Sequence, residues 1–213
     1  MHRRILSLIA AIAALVVPAT ASAHDPILFV HGWSESGTIW NTDISRFQAD
    51  GWTSAELNNW SYNTSQSNAT TASQISTKID QILAATGATK VDLITHSMGA
   101  LNTRYYLKNL GGTAKVDDWV SLGGPNHGTN TANFCSSAAC VEMRIGSTFL
   151  NNLNATDETP GAVNYRTWWS SCDTIVPDGV PISGATNTQT ACLGHNDLYS
   201  DATVYAQVRD FVN

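Results

Sequence analysis

An α/β fold built on a mostly parallel sheet of six strands, with helices on both faces, is what this sequence predicts. Three observations carry it. Short apolar, β-branched stretches alternate with longer stretches of helical periodicity along the chain. The stretch Val91-Asp92-Leu93-Ile94-Thr95 stops abruptly at His96-Ser97 and runs into a helix-like segment from Met98. No internal repeat, low-complexity linker or second-domain boundary interrupts the order, and a chain of this length suits one domain with a sizeable core. In order, Pro26 to Val30 reads as a buried strand and Thr38 to Ala49 as a helix, with Gly51 as its left-handed stop. Ser54 to Leu57 reads as a second strand. Ala69 to Thr86 is a longer helix: Ile75, Ile79, Ile82 and Leu83 recur at helical spacing and Gly87 ends it. Lys90 to Thr95 is the third strand. The helix after it, over Met98 to Leu107, is expected to present Leu101, Tyr105 and Tyr106 to the sheet. Asp118 to Leu122, Val163 to Trp168 and Ala185 to Thr190 supply the remaining strands, and Asp201 to Val212 a closing amphipathic helix. The longest irregular stretch, Gly123 to Ala162, holds one short helix near Ser147 to Asn152 and is too short for a lid domain.

A serine on a sharp turn between a buried strand and a helix resembles the nucleophile elbow of α/β-hydrolases. The turn presents Oγ at the carboxyl edge of the sheet and aims the helix amides and dipole at any oxyanion formed there. The usual pattern is G-x-S-x-G. Here Thr95 takes the place of the first glycine and Gly99 keeps the second. Thr95 therefore either widens the elbow or directs its hydroxyl into the site.

The N-terminus reads as a secretory leader over residues 1–23. His2-Arg3-Arg4 is its basic start, Ile5 to Val17 an apolar core too short to span a bilayer comfortably, and Ala21-Ser22-Ala23 a cleavage site. Residues 24–213 are then the single catalytic domain, with 9 basic and 17 acidic side chains, a net charge of −8. An acidic chain without a basic cluster excludes a nucleic-acid partner and offers no polybasic handle for anionic membranes. Export places Cys135, Cys140, Cys172 and Cys192 in an oxidising compartment, where an even set implies disulfides. Of three possible connectivities, Cys135–Cys140 and Cys172–Cys192 keep each bridge within one loop region. The rival, a zinc site, lacks a C-x-x-C pair.

A serine needs a base within hydrogen-bond reach, and the base needs a partner to fix its tautomer. In the α/β-hydrolase order, the acid and then the histidine follow the serine. Of six histidines, His2 leaves with the leader and His24 sits at the new terminus. His31, His96 and His127 precede the acid and suit local structural roles. His195, in a loop before the final helix, is the expected base. Asp173, which precedes it by 22 residues, is the expected acid. Asp178 is the runner-up, in a Pro177-Asp178-Gly179 turn, while Asp157 and Asp197 are wrongly placed in the order. The Cys172–Cys192 bridge would tie the acid loop to the base loop. Two backbone amides must form the oxyanion hole: Met98, after the nucleophile, and Trp33, in the loop after the first strand, where His31-Gly32 lets the backbone come close.

Together, Phe29-Val30-His31-Gly32, Thr95-His96-Ser97-Met98-Gly99, Ser121-Leu122-Gly123-Gly124-Pro125-Asn126, Ser170 to Val176 and Gly194-His195-x-x-Leu198 resemble the small, secreted, lid-less bacterial lipases of the Bacillus lipase A type. The resemblance runs from about residue 26 to the C-terminus. It implies a minimal α/β-hydrolase, activity on acylglycerols and other esters, and no lid opening. By motif, it implies Ser97 as nucleophile, Asp173 as acid, His195 as base, and Trp33 and Met98 as oxyanion amides. Thr95, the bulkier Trp33-Ser34-Glu35 and the four cysteines depart from that type, which bears on the acyl pocket rather than on the chemistry.

The expected activity is therefore that of a triacylglycerol lipase or carboxylesterase. The alternatives are a cutin- or polyester-type hydrolase, or a phospholipase or amidase using the same triad, and last a binding protein on a dead scaffold. No cofactor or metal is required; Asp197 alone is a weak sign of calcium. The partner is an ester or lipid substrate, met at a lipid–water interface, by a monomer without stable membrane insertion. Trp119 and Trp168 read as core. Trp33, Trp40, Trp52 and Trp60 either line an acyl groove or interface or, for Trp40 and Trp52 at least equally, pack against helices. Sequons at Asn59, Asn63, Asn68 and Asn154 are expected to stay unmodified.

Overall fold

A computed structural model describes residues 24–177 and 181–213. The expected leader over residues 1–23, including His2, and Asp178 lie outside the described residues. Six parallel strands, β1 (Ile27–Val30), β2 (Leu57–Asn59), β3 (Val91–His96), β4 (Val116–Leu122), β5 (Asn164–Trp169) and β6 (Thr186–Gln189), form one sheet in the order β2-β1-β3-β4-β5-β6. Helices α1 (Asn41–Ala49), α2 (Asn68–Thr86), α3 (Gly99–Asn109), α4 (Ala138–Met143), α5 (Thr148–Asn154) and α6 (Ala202–Arg209) connect and cover it.

Strand alternation produces two cores. Leu28, Val30, Leu93 and Trp119 meet Ile75, Ile79 and Ile82 of α2 and Tyr106 and Leu107 of α3 on one face. Ile27, Phe29, Ile94, Val120, Leu122 and Trp168 meet Phe47 of α1 and Val204 and Val208 of α6 on the other. Each such aliphatic side chain, fully buried, contributes about 1.5–3 kcal/mol. Double-sided burial explains why the central strands read as continuous apolar runs. The outer strands differ: β2 is only Leu57-Asn58-Asn59 and β6 is Thr186-Asn187-Thr188-Gln189, largely exposed.

Three expectations change. The second strand lies at Leu57–Asn59 rather than Ser54–Leu57, because the Glu56 carboxylate accepts the Thr53 amide (2.6 Å) and hydroxyl (2.8 Å) and locks that stretch as a turn. Helix α3 turns Ala100, Thr103 and Leu107 inward, with the Thr103 hydroxyl accepting the Trp119 indole N–H at 2.8 Å. Leu101, one position round the helix, packs instead with Met98, Met143 and Leu150 of the connecting segment; Tyr106 stays with the sheet, and half-buried Tyr105 stacks on Phe149. That segment holds α4 as well as α5 and a 3-10 turn at Asn130–Phe134, more helix than the single short one expected. Its helices are too short for periodicity to reveal. They start on side-chain caps instead: Ser137 accepts from the Cys140 amide and Ser147 from the Leu150 amide. Trp40 and Trp52 are buried against Phe29 and Phe47 and so take the packing role, while half-buried Trp60 packs beside the α2 core.

At the amino edge of the sheet Asp92 is buried, its Oδ1 accepting the Asp118 amide at 3.1 Å, with Asp25, Asp117 and Asp118 nearby. Burial first, and then those like charges, push its carboxyl well above the ordinary carboxylate value. A carboxyl raised in the folded state lowers stability as pH climbs past its unfolded value and up to its folded one. Asp92→Asn keeps the acceptor and removes the charge. It is expected to stabilise the domain by about 0.5–2 kcal/mol at pH 7 and by nothing below about pH 4. Thermal melts across that pH range test it.

Candidate active site

The sheet order reverses between β1 and β3: the chain goes outward from β1 to β2 and then crosses back to β3 on the other side. At the carboxyl ends of strands beside such a switch, loops part and leave a crevice. Ser97 stands there, directly after β3, with φ of 51°. A side chain held in the left-handed region costs on the order of 1–2 kcal/mol, a strain the surroundings must enforce. They do so at the backbone: the Ser97 amide donates to the Leu122 carbonyl at 2.9 Å, and α3 begins two residues later. Gly99 lets that helix seat against β1, since a Cβ there would lie 2.5 Å from the Val30 carbonyl oxygen and 2.9 Å from that of His31. Thr95, in the position of the usual first glycine, is buried and donates its hydroxyl to the Val120 carbonyl at 2.7 Å. Its hydroxyl therefore satisfies the sheet rather than the site.

A cavity of about 340 Å³ opens at this edge, lined by Ser97, His195, His96, Trp33, Glu35, Met143 and Ile175 among others. Asp173 follows β5 in a tight turn in which Oδ1 accepts the amides of Ile175 (2.8 Å) and Val176 (2.9 Å). Its Oδ2 accepts Nδ1–H of His195 at 2.7 Å. Burial alone would raise this carboxyl. The hydrogen bond and charge of His195 and the two amides outweigh it and hold it below its ordinary value. A carboxylate only accepts, so the proton in that bond sits on Nδ1, which leaves Nε2 as the ring nitrogen a general base would use. Ser97 and His195 share the cavity wall; the Ser97 hydroxyl makes no hydrogen bond of its own among the described residues.

The Met98 amide stands at the N-cap of α3 and that of Trp33 in the loop after β1; neither donates to another group among the described residues. Half-exposed Trp33 lines the cavity. Two disulfides join Cys135 to Cys140 and Cys172 to Cys192, with Cα separations of 5.8 and 5.1 Å. The second links the neighbour of Asp173 to a residue three before His195. Asp197 accepts the Gly194 amide at 3.0 Å, a local cap, and no group of three or more His, Cys, Asp or Glu is arranged to hold a metal among the described residues.

The other histidines separate cleanly. His31 is buried, with Nδ1 donating to the Gly32 carbonyl (2.9 Å) and Nε2 facing the Tyr62 amide (3.4 Å), a neutral ring whose proton affinity burial lowers. His24 stacks on Trp52 and His127 meets Glu158 at 2.8 Å. His96 is different. Its ring packs 4.7 Å from that of His195, with Nδ1 at 2.9 Å from the Glu35 carboxylate and Nε2 at 3.1 Å from the His195 main-chain carbonyl. Sequence reasoning did not bring Glu35 and His96 together. They lie 61 residues apart, and only the adjacency of His96 to Ser97 hinted at a place in the site.

Residues 24–211 match the family profile described as Lipase (class 2). A triacylglycerol lipase of Burkholderia plantarii is 29% identical over 135 residues, 61% of this chain but 37% of that protein, so the chain spans well under half of that relative's length. Among solved structures, a Bacillus licheniformis lipase in its mature form superposes with a TM-score of 0.77 at 17% identity, covering 94% of this chain and 96% of the other. Aspergillus fumigatus lipase B gives 0.76 at 16%, covering 88% and 52%. At such identities these structures speak for the fold alone, an α/β-hydrolase fold with the parallel sheet and flanking helices described above. With the profile matched over nearly its whole length, the chain belongs to the class 2 lipase family.

Proposed function

We propose that this chain is a secreted serine hydrolase of carboxylic esters, acting on acylglycerols through Ser97, His195 and Asp173. The observation that carries the reading is the buried Asp173–His195 hydrogen bond on the wall of the same cavity as Ser97, itself held on a strained turn at a helix start. His195 Nε2 takes the Ser97 proton as Oγ attacks the ester carbonyl. The Trp33 and Met98 amides receive the oxyanion, worth about 2.7–4 kcal/mol per donor. His195 then protonates the departing alcohol, and water releases the acid by the same steps. Trp33 and Ile175 on the cavity wall, with Phe134 92% exposed beside wall residue Cys135, make a rim suited to a lipid–water interface. No helix of the described residues is long and apolar enough to cross a membrane. The leader-like residues 1–23 and the two disulfides support export, and a monomer fits.

The test is covalent. A fluorophosphonate is expected to label one site, mapped to Ser97 by peptide mass, and to abolish turnover of p-nitrophenyl esters and emulsified triglyceride together. Label elsewhere, or turnover surviving full labelling, refutes the assignment. Activity confined to short soluble esters would keep the mechanism and replace lipase by esterase.

The Cys172–Cys192 bridge has a measurable part in this reading. Closing a loop of this size is worth about 3 kcal/mol, yet its larger effect is positional, since about 1 Å of misplacement costs on the order of 100-fold in rate. The double variant Cys172→Ser/Cys192→Ser is expected to lose roughly 10–100-fold in kcat at temperatures where circular dichroism still reports a folded domain. Unchanged turnover would refute the positioning role.

A further inference from the structure

Among the described residues, His96 has two acceptors and no hydrogen-bond donor at its ring nitrogens. The Glu35 carboxylate faces Nδ1 and the His195 main-chain carbonyl faces Nε2. A carbonyl only accepts, and so does an ionised carboxylate; only a ring with both nitrogens protonated makes both bonds. His31 shows the contrast, with one nitrogen facing an acceptor and the other a donor. The same Glu35 oxygen accepts the Gly32 amide at 2.6 Å. One unbroken line of bonds therefore runs from Gly32, next to the Trp33 amide, through Glu35 and His96 to the backbone of His195. It crosses loops separated by 61 and 99 residues in sequence.

We propose that Glu35 and His96 are a positioning pair, in which a doubly donating His96 ties the oxyanion loop to the backbone of the base and sets the charge felt by the His195 ring. The proposal rests on the active-site reading above. Neither residue takes part in bond making. The pair fixes where two parts of the machinery stand and supplies a carboxylate and a ring cation close to the imidazole. The groups facing His96 are Glu35 and His31 from the loop after β1, and His195 and Tyr199 from the segment before α6, with Asp173 behind His195. Burial alone would raise the Glu35 carboxyl. The hydrogen bond and charge of His96, the Gly32 amide and the charge of His195 outweigh it and hold it below the ordinary range, so it stands there as an anion.

The test separates the two bonds of one ring. In His96→Gln the side-chain amide nitrogen sits near the place of Nε2 and keeps the bond to the His195 carbonyl. In His96→Asn it sits near Nδ1 and keeps only the bond to Glu35. Steady-state kinetics on a soluble p-nitrophenyl ester are expected to show His96→Asn and His96→Gln each losing about 10–100-fold in kcat with KM within about threefold, since each keeps one of the two bonds and so breaks the tie. Glu35→Gln, which keeps an acceptor for Gly32 but removes the negative charge, is expected to move the acid limb of kcat/KM to lower pH. Either variant retaining the parent's kcat overturns the proposal. So does an unmoved acid limb in Glu35→Gln, which decides the matter alone if the buried His96 variants do not fold. Fluorophosphonate labelling of the unsubstituted protein comes first. Stoichiometric label at Ser97 with any of those contrary results refutes the pair alone, whereas absence of label refutes the active-site reading and the pair with it.

Discussion

Ser97→Ala is expected to lower kcat for ester hydrolysis on the order of 10⁶-fold while leaving the melting temperature close to that of the parent. Oγ is the only atom removed that the chemistry needs, and alanine inherits the same positive φ. The informative companion is Ser97→Gly. It should be equally inactive but more stable, by about 1 kcal/mol, because glycine enters the left-handed region without the Cβ penalty. Calorimetry on the pair, beside the kinetic assay, asks whether the turn stores the strain assigned to it. A glycine variant no more stable than the alanine one would show that the elbow is relaxed, and full turnover in either would end the nucleophile assignment.

The next largest effect is expected from Asp173→Asn, about 10⁴-fold in kcat. The reason is specific to this loop. Oδ1 of residue 173 is committed to the amides of Ile175 and Val176, so an asparagine must keep its carbonyl oxygen there and turn its NH₂ toward His195 Nδ1. That nitrogen would then accept, the ring proton would move to Nε2, and the ring could no longer take a proton from Ser97. Imidazole nitrogen chemical shifts would report the tautomer directly. A variant with the parent's tautomer and near-parent turnover would remove Asp173 from the mechanism.

Much of the architecture was legible because strand and helix periods are local. Val91 to His96 and Ile75 to Leu83 announce themselves within a few residues, and the alternation of such segments leads to a parallel sheet. Where the signal was weak, the reason is physical. Leu57-Asn58-Asn59 carries almost no apolar pattern because an outer strand buries little, and a turn locked by the Glu56 side chain displaced the expected boundary. Leu101 has the right residue type for a sheet contact, but its direction depends on the segment that folds over α3, which no spacing within the helix encodes. At the site, the strand-to-helix turn singled out Ser97, and chain order with the cysteine spacing singled out Asp173 and His195. The contact between Glu35 and His96 had no such guide: a buried bond between distant loops leaves no periodic trace, and His96 read as an ordinary neighbour of the elbow.

The two outer strands carry a consequence for handling the protein in solution. A sheet's border is where a foreign chain zips on, and long, flat, greasy borders seed aggregates. Here one border is a three-residue stub ending in two asparagines, and the other is built of threonine, asparagine and glutamine. An incoming strand would gain few backbone bonds and almost no dry contact at either side. Renaturation from denaturant at high concentration should therefore return dispersed material rather than precipitate.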